Sequence, residues 1–130
     1  MTEPRWIRRE VLLLLHDESL AEHGGASGLR DEGLLDSALA RPRNRHAYGD
    51  DCDLADLAAE YAYGLARNHP FVDGNKRAAL LSIGLFLGLN GYRLVAGQAE
   101  ATLTILTLAA GELPLDELAS WIRDNGRRRD

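Results

Sequence analysis

The chain reads Arg-Asn-His-Pro-Phe-Val-Asp-Gly-Asn-Lys-Arg over residues 67–77, between two stretches of helical apolar spacing. The upstream helix must end near His69, because a proline disfavours the αR region for the residue before it. A long apolar run follows Gly74 without the alternation of a strand, so we favour a loop-to-helix interpretation over an Asp-Gly hairpin. The stretch therefore predicts a short loop that leads into a helix N-terminus.

A helix N-terminus preceded by glycine is suited to binding anions. The first backbone N–H groups of a helix have no partner within it, and the positive end of the helix dipole lies beside them. Gly74 and Asn75 are therefore the expected anion nest, and Lys76 and Arg77 add cations suited to phosphate. Arg67 is compatible with either a helix C-terminal charge or a second phosphate contact.

Three further side chains of the stretch complete a phosphate-transfer site. Histidine titrates near neutral pH, as a general base for a protein hydroxyl should, and His69 is the candidate. Asp73 can give Mg²⁺ one carboxylate oxygen, while substrate phosphates and water complete the coordination. Phe71 has no reactive group and is interpreted as a buried structural anchor of the loop.

This order of residues resembles the signature of the Fic/Doc (Fido) family, whose common form is His-x-Phe-x-Asp/Glu-Gly-Asn-Gly-Arg-x-x-Arg. Two positions depart from it: Lys76 replaces the second glycine, and Leu80 replaces the last arginine. The lysine form resembles the Doc branch, the toxins of bacterial toxin–antitoxin pairs. Residues 28–42 also resemble the region that Doc-type proteins carry ahead of the motif. The resemblance favours His69 as a catalyst and Arg67 as a phosphate contact.

The resemblance implies a Mg²⁺-dependent transferase with ATP, or another nucleoside triphosphate, as co-substrate. Fic proteins of the common form transfer AMP, whereas the Doc branch transfers the γ-phosphate to a Ser or Thr hydroxyl of a protein, with translation elongation factor Tu as the target class. Lys76 would fill room that the β- and γ-phosphates occupy in AMP transfer, and Leu80 removes one of their anchors. The favoured function is thus phosphorylation, with adenylyl transfer and a non-catalytic partner-binding module as alternatives. A small antitoxin protein is the implied inhibitor.

Length and composition limit the remaining possibilities. A chain of 130 residues suits one domain, residues 1–130, and its net charge of −5 does not favour nucleic acid as a partner. Cys52 is the only cysteine, which excludes an intramolecular disulfide and suits a reducing compartment. The apolar run of residues 11–15 is far shorter than the roughly 20 residues of a membrane span. We therefore expect a soluble, cytoplasmic protein without a membrane partner.

The apolar spacing predicts an all-α, single-domain bundle of about six helices, and the Gly-rich, charged composition of residues 24–33 predicts a surface loop or short hairpin. The resemblance implies that this region is a short flap before the second half of the bundle. The flap is the Gly-rich stretch 24–33, and an exposed loop is predicted over residues 41–53 with a solvated run of Arg and His. His16 and His23 are assigned no function. The predicted helices cover residues 5–23, a short segment from 34 closed by Pro42, Asp53 to Asn68, Asn75 to Leu89, 97–110, and Pro114 to Gly126. An arginine-rich tail is predicted after Gly126. The predicted apolar faces are Ile7, Val11, Leu14 and Leu15 in the first helix, Leu54, Leu57, Ala58, Tyr61 and Leu65 in the helix from Asp53, and Leu103, Leu106 and Ala110 in the helix of 97–110.

Overall fold

Six helices and a two-stranded antiparallel sheet make up the part of the chain that the computed structural model describes, residues 3–49 and 51–129. The predicted all-α bundle is confirmed. The elements in chain order are α1 (Arg9–His23), α2 (Glu32–Tyr48), α3 (Leu54–Asn68), α4 (Asn75–Leu89), β1 (Tyr92–Leu94), α5 (Gln98–Ala109), α6 (Leu115–Asn125) and β2 (Gly126–Arg128).

Helix α3 is the centre of the bundle and packs against α2, α4, α5 and α6. Its predicted start is confirmed: the Asp53 side chain accepts from the backbone N–H of Asp56, and the Asp56 side chain accepts from that of Asp53. The apolar face predicted for α3 is also confirmed, because Leu57, Tyr61 and Leu65 are fully buried. Because α3 packs against four other helices, the loop that follows its C-terminus begins at a fixed position.

Helix α2 is longer than predicted, because it continues through Pro42 to Tyr48. The exposed loop predicted from residue 41 is therefore wrong up to Tyr48, and Asp50 lies outside the described residues. The side chains of Arg41 and Arg45 both reach the buried Glu60 of α3, at 2.8 and 3.3 Å. Contacts between α2 and α3 thus outweigh the cost of an internal proline, about 3 kcal/mol.

Helix α1 begins at Arg9 rather than residue 5 and ends at His23, as predicted; Gly24 follows it with φ 87° and ψ 165°, outside the left-handed helical region expected for the stop. Its buried face differs from the predicted one. Leu14 is 58% exposed, whereas Leu12, His16 and Leu20 are buried at a spacing of four residues. A histidine therefore occupies the middle of the core-facing stripe.

The second half of the chain shows two further differences from prediction. The α5 residues Leu103 and Leu106, predicted to face inward, are 64% and 46% exposed, while Ile105 and Leu108 are buried. The arginine-rich end, predicted as a tail, forms β2 and pairs with β1 in the register Arg93 to Arg127. No helix in the described part of the chain combines the length and apolar character that a bilayer crossing requires.

Candidate active site

A solvent-open cavity of about 440 Å³ lies where the loop between α3 and α4 meets the end of α1. Six of the predicted site residues line it, from His69 to Arg77, which the fold thus brings together. The lining residues are His23, Gly24, His69, Val72, Asp73, Gly74, Asn75, Lys76 and Arg77.

His69 is the residue that ends α3, and its backbone is left-handed, with φ 51° and ψ 56°. Its carbonyl oxygen accepts from the Nε of Arg30 at 2.7 Å, and the same guanidinium donates to Asn68 O at 2.9 Å. The backbone of the histidine is thereby fixed. Its exposed imidazole makes no side-chain hydrogen bond within the described residues, so it is free to accept a proton from a substrate.

The predicted flap lies alongside the loop that carries the motif. Backbone N–H groups of Arg30 and Asp31 donate to Pro70 O, and Val72 donates to Gly28 O at 3.0 Å. An isolated antiparallel bridge joins Leu29 to Phe71 between these bonds. The flap is therefore held against the motif loop by strand-like pairing.

The Asp73 carboxylate is exposed and is held by backbone donors on both oxygens. Oδ1 accepts from Gly74 N at 2.8 Å and Oδ2 from Ala26 N at 3.3 Å. Each oxygen keeps a lone pair, so the carboxylate can still give a metal one ligand. In the described residues no group of three or more His, Cys, Asp or Glu side chains could hold a metal alone. The donor set thus fits Mg²⁺ that takes its other ligands from substrate phosphates and water.

The N-terminus of α4 opens into the same cavity. Gly74 is its N-cap with φ 76°, and helix geometry leaves the N–H groups of Asn75, Lys76 and Arg77 without partners inside the helix. The Lys76 and Arg77 side chains are exposed and form no ion pair among the described residues. The Asn75 side chain is used differently, because it bonds to both the N–H and the carbonyl of Phe71 at 2.9 and 3.0 Å. Asn75 can therefore offer an anion its backbone N–H but not its amide.

Phe71 is buried in the motif loop, whereas Arg67 lies away from the cavity. Phe71 is 2% exposed, at the base of the motif loop. Arg67 does not line the cavity: its guanidinium lies 5.4 Å from the ring centre of Tyr63 and its Nη1 3.4 Å from the Tyr63 hydroxyl. The structure therefore does not bring Arg67 together with the other predicted phosphate contacts.

His16 contacts the motif loop, although the sequence interpretation gave it no function. It is 1% exposed, its ring stacks on Phe71 at 3.7 Å, and its Nε2 lies 2.8 Å from the carbonyl oxygen of Asp73. The spacing Leu12, His16, Leu20 is the signal that could have found it, because it places the imidazole on a core-facing stripe.

Comparison with known proteins identifies the family of this chain. A family model described as Fic/DOC family matches residues 6–87. The protein kinase doc of Escherichia phage P1 is 37% identical over 119 residues, which cover 92% of this chain and 94% of that protein. The toxin Doc of Mycolicibacterium smegmatis is 49% identical over 75 residues, 56% of this chain and 57% of that protein. The chain therefore belongs to the Fic/DOC family, in its Doc-type branch.

Proposed function

We propose that this chain is a Doc-type toxin that transfers the γ-phosphate of ATP, or another nucleoside triphosphate, to a Ser or Thr hydroxyl of a protein. The observation that carries the proposal is the shared cavity of His69, Asp73 and the α4 N-terminus. It joins a free base, one carboxylate and a set of anion-binding groups. The names of the two relatives, a protein kinase and a toxin, support the same reaction.

His69 acts as the general base. The substrate hydroxyl gives its proton to the imidazole as its oxygen forms a bond to the γ-phosphorus, and the bond from that phosphorus to the β,γ-bridging oxygen breaks. The nucleoside diphosphate leaves with the electron pair of the broken bond. The bond from Arg30 to the carbonyl of His69 fixes the backbone that carries the imidazole.

Charge stabilisation comes from the start of α4. The backbone N–H groups at residues 75–77 and the cations of Lys76 and Arg77 line the cavity, where they would neutralise the charge that builds on the oxygens of a bound triphosphate. Asp73 would hold Mg²⁺, which would supply further neutralisation of the phosphate oxygens. The Asp73 carboxylate is oriented for that purpose by the amides of Gly74 and Ala26.

Two residues favour phosphate transfer over AMP transfer. Lys76 lies in the first turn of α4 and takes space in the cavity that a glycine would leave open. Leu80, one turn further on, cannot anchor a phosphate as an arginine would, and its half-buried side chain lines a neighbouring groove instead. A triphosphate oriented for attack at the α-phosphate therefore lacks both room and an anchor.

That groove is the proposed docking site of a small antitoxin protein. It has a volume of about 500 Å³, lies between α1, α4 and α5, and shares His23, Lys76 and Arg77 with the active site. Its floor is apolar. The apolar side chains are Leu15, Leu80, Leu81, Ile105 and Leu106. A bound antitoxin segment would cover the exposed Leu106 and obstruct the entrance for nucleotide or target.

The test incubates the wild type and His69→Ala with a bacterial lysate and either γ-labelled or α-labelled ATP. We expect the γ label, and not the α label, to enter a protein band, one of translation-factor size if the target is elongation factor Tu. His69→Ala should lack the signal. Incorporation of the α label alone would instead make the chain an adenylyltransferase. Neither label, together with no binding of ATP, would leave a partner-binding module.

A further inference from the structure

We propose that His16 is a positioning residue that sets the orientation of the Asp73–Gly74 peptide, and through it the anion-binding end of the active site. The inference rests on the proposed function for its kinetic readout but on structure alone for its geometry. His16 lies in α1, 57 residues before Asp73, and does not line the active-site cavity. It therefore acts from behind the loop.

The contact between His16 and Asp73 fixes one side of a peptide plane. The carbonyl oxygen of Asp73 lies 2.8 Å from Nε2 and can only accept, so Nε2 must carry the proton. In a trans peptide the carbonyl and the following N–H point in opposite directions. The Gly74 N–H accordingly points away from His16 and donates to Asp73 Oδ1 at 2.8 Å. One hydrogen bond from α1 thus orients both the peptide and the carboxylate.

Gly74 packs closely against His16, so the contact between α1 and the motif loop leaves little room for another arrangement. Its φ of 76° is left-handed, and a Cβ built on it would lie 3.0 Å from His16 Nε2. The imidazole therefore packs directly against the residue at which the chain turns into α4. A shift of His16 would be transmitted to the N–H groups that follow, because they belong to the first turn of a rigid helix.

The ring of His16 has a second, separable contact. It stacks on Phe71 at 3.7 Å with an interplanar angle of 18°, and both rings are buried. Phenylalanine at position 16 would keep the stack and lose the donor. Glutamine would lose the ring but could still donate an amide N–H to the carbonyl of Asp73. This pair of variants separates packing from positioning.

The experiment measures thermal unfolding, the dissociation constant of ATP·Mg²⁺ by calorimetry, and kcat/KM of transfer. We expect His16→Phe to weaken ATP binding and lower kcat/KM by about 10- to 100-fold, the scale of small misplacements at a reacting centre. His16→Gln should stay within about 5-fold of wild type despite losing the stack. His46→Phe is the matched control, since that half-buried histidine packs on Trp6 outside the site. This substitution should change neither the dissociation constant of ATP·Mg²⁺ nor kcat/KM.

Three results would overturn the proposal. The first is ATP binding in His16→Phe that equals that of wild type. The second is a loss of ATP binding and transfer in both variants that parallels the fall in their unfolding temperatures, and the third is a ¹⁵N NMR spectrum that places the wild-type imidazole proton on Nδ1. If His16→Phe fails to fold, the proposal is supported by a proton on Nε2 in the wild type together with wild-type ATP affinity in His16→Gln. A proton on Nδ1 in the wild type overturns the proposal. A wild type that transfers neither label defeats the proposed function. Weaker ATP binding only in His16→Phe would still support the positioning role.

Discussion

The guanidinium of Arg30 donates to the backbone carbonyl oxygen of His69 over 2.7 Å, although the two residues are 39 positions apart. His69 occupies the left-handed region, which costs a non-glycine residue about 1–2 kcal/mol. By also donating to Asn68 O, Arg30 satisfies carbonyls that the end of α3 leaves without partners. The flap thus stabilises the conformation of the proposed base.

Replacing Arg30 with Met should remove both bonds and loosen His69. Each bond contributes about 0.5–1.5 kcal/mol, so we expect a modest loss of stability but a larger loss of transfer, about 10-fold or more. Urea unfolding and kcat/KM measure the two effects. Arg128→Met, at an exposed arginine on β2, is the control for loss of a surface cation. Equal, small effects in both variants would contradict the role of Arg30.

His69→Ala should leave the fold intact, because the side chain is exposed and lies in a loop. Transfer should fall by about 10²- to 10⁴-fold, as expected for loss of a general base. The measurement is single-turnover transfer with saturating ATP·Mg²⁺, alongside calorimetric ATP binding. A variant that binds ATP as wild type does and still transfers at the wild-type rate would remove His69 from the mechanism.

Asp73→Asn should abolish most activity, with partial recovery at high Mg²⁺, since the amide keeps the shape but has no charge for the ion. It also places an NH₂ group near the N–H of either Gly74 or Ala26, so unfolding should become easier by about 1 kcal/mol. Transfer rates over a Mg²⁺ titration test the first point. A metal dependence identical to that of wild type would show that Asp73 only shapes the loop.

The sequence predicted the centre of the fold well because its signals there are local. The cap of α3 is made by Asp53 and Asp56, three residues apart, and its end is set by Pro70 beside His69. The start of α4 follows from the adjacent Gly74, which is its N-cap. No distant contact was needed to place the cavity's main groups.

The errors came where distant residues decide the structure. Pro42 remains helical because Arg41 and Arg45 bind Glu60 on another helix. The contact between His16 and the carbonyl of Asp73 joins residues 57 positions apart, and no local pattern contains that pairing. Arg67 was favoured as a phosphate contact by the family resemblance, whereas in the structure its side chain packs toward its own preceding turn, on Tyr63.

Asp53 gives the fold a specific sensitivity to acid. The guanidinium of Arg123 donates to its carboxylate and, with the N–H of Asp56, lowers the pKa of Asp53 from 3.8 to about 2. Because the folded value lies below the unfolded one, this stabilisation is present above pH 3.8 and is lost as the pH falls toward 2. The free energy of unfolding, measured with urea between pH 5 and about 2, should therefore fall less steeply with decreasing pH in Arg123→Met than in wild type.

Arg93→Met is the control for that comparison, since Arg93 is exposed on β1 and not paired with Asp53. Its pH dependence should match that of wild type. Parallel curves for wild type and Arg123→Met would show that the ion pair does not set the acid sensitivity of the N-terminus of α3.

Lys76→Gly separates the two transfer reactions within one loop. Lys76 lies at the second position of α4 and is exposed, so the substitution should cost about 1 kcal/mol of stability or less. If the lysine excludes a nucleotide oriented for attack at the α-phosphate, its loss should reduce γ-phosphate transfer by about 10-fold and admit a trace of AMP transfer.

The gain should stay small in Lys76→Gly alone, because Leu80 still lacks the cation that would anchor a triphosphate in the other orientation. Adding Leu80→Arg supplies that cation from the next turn of α4, so the double variant should incorporate more α label than either single variant. Leu80→Arg by itself, with Lys76 still in place, is the control. If the ratio of α-label to γ-label incorporation is the same in wild type, both single variants and the double variant, these two positions do not select the phosphate that is attacked.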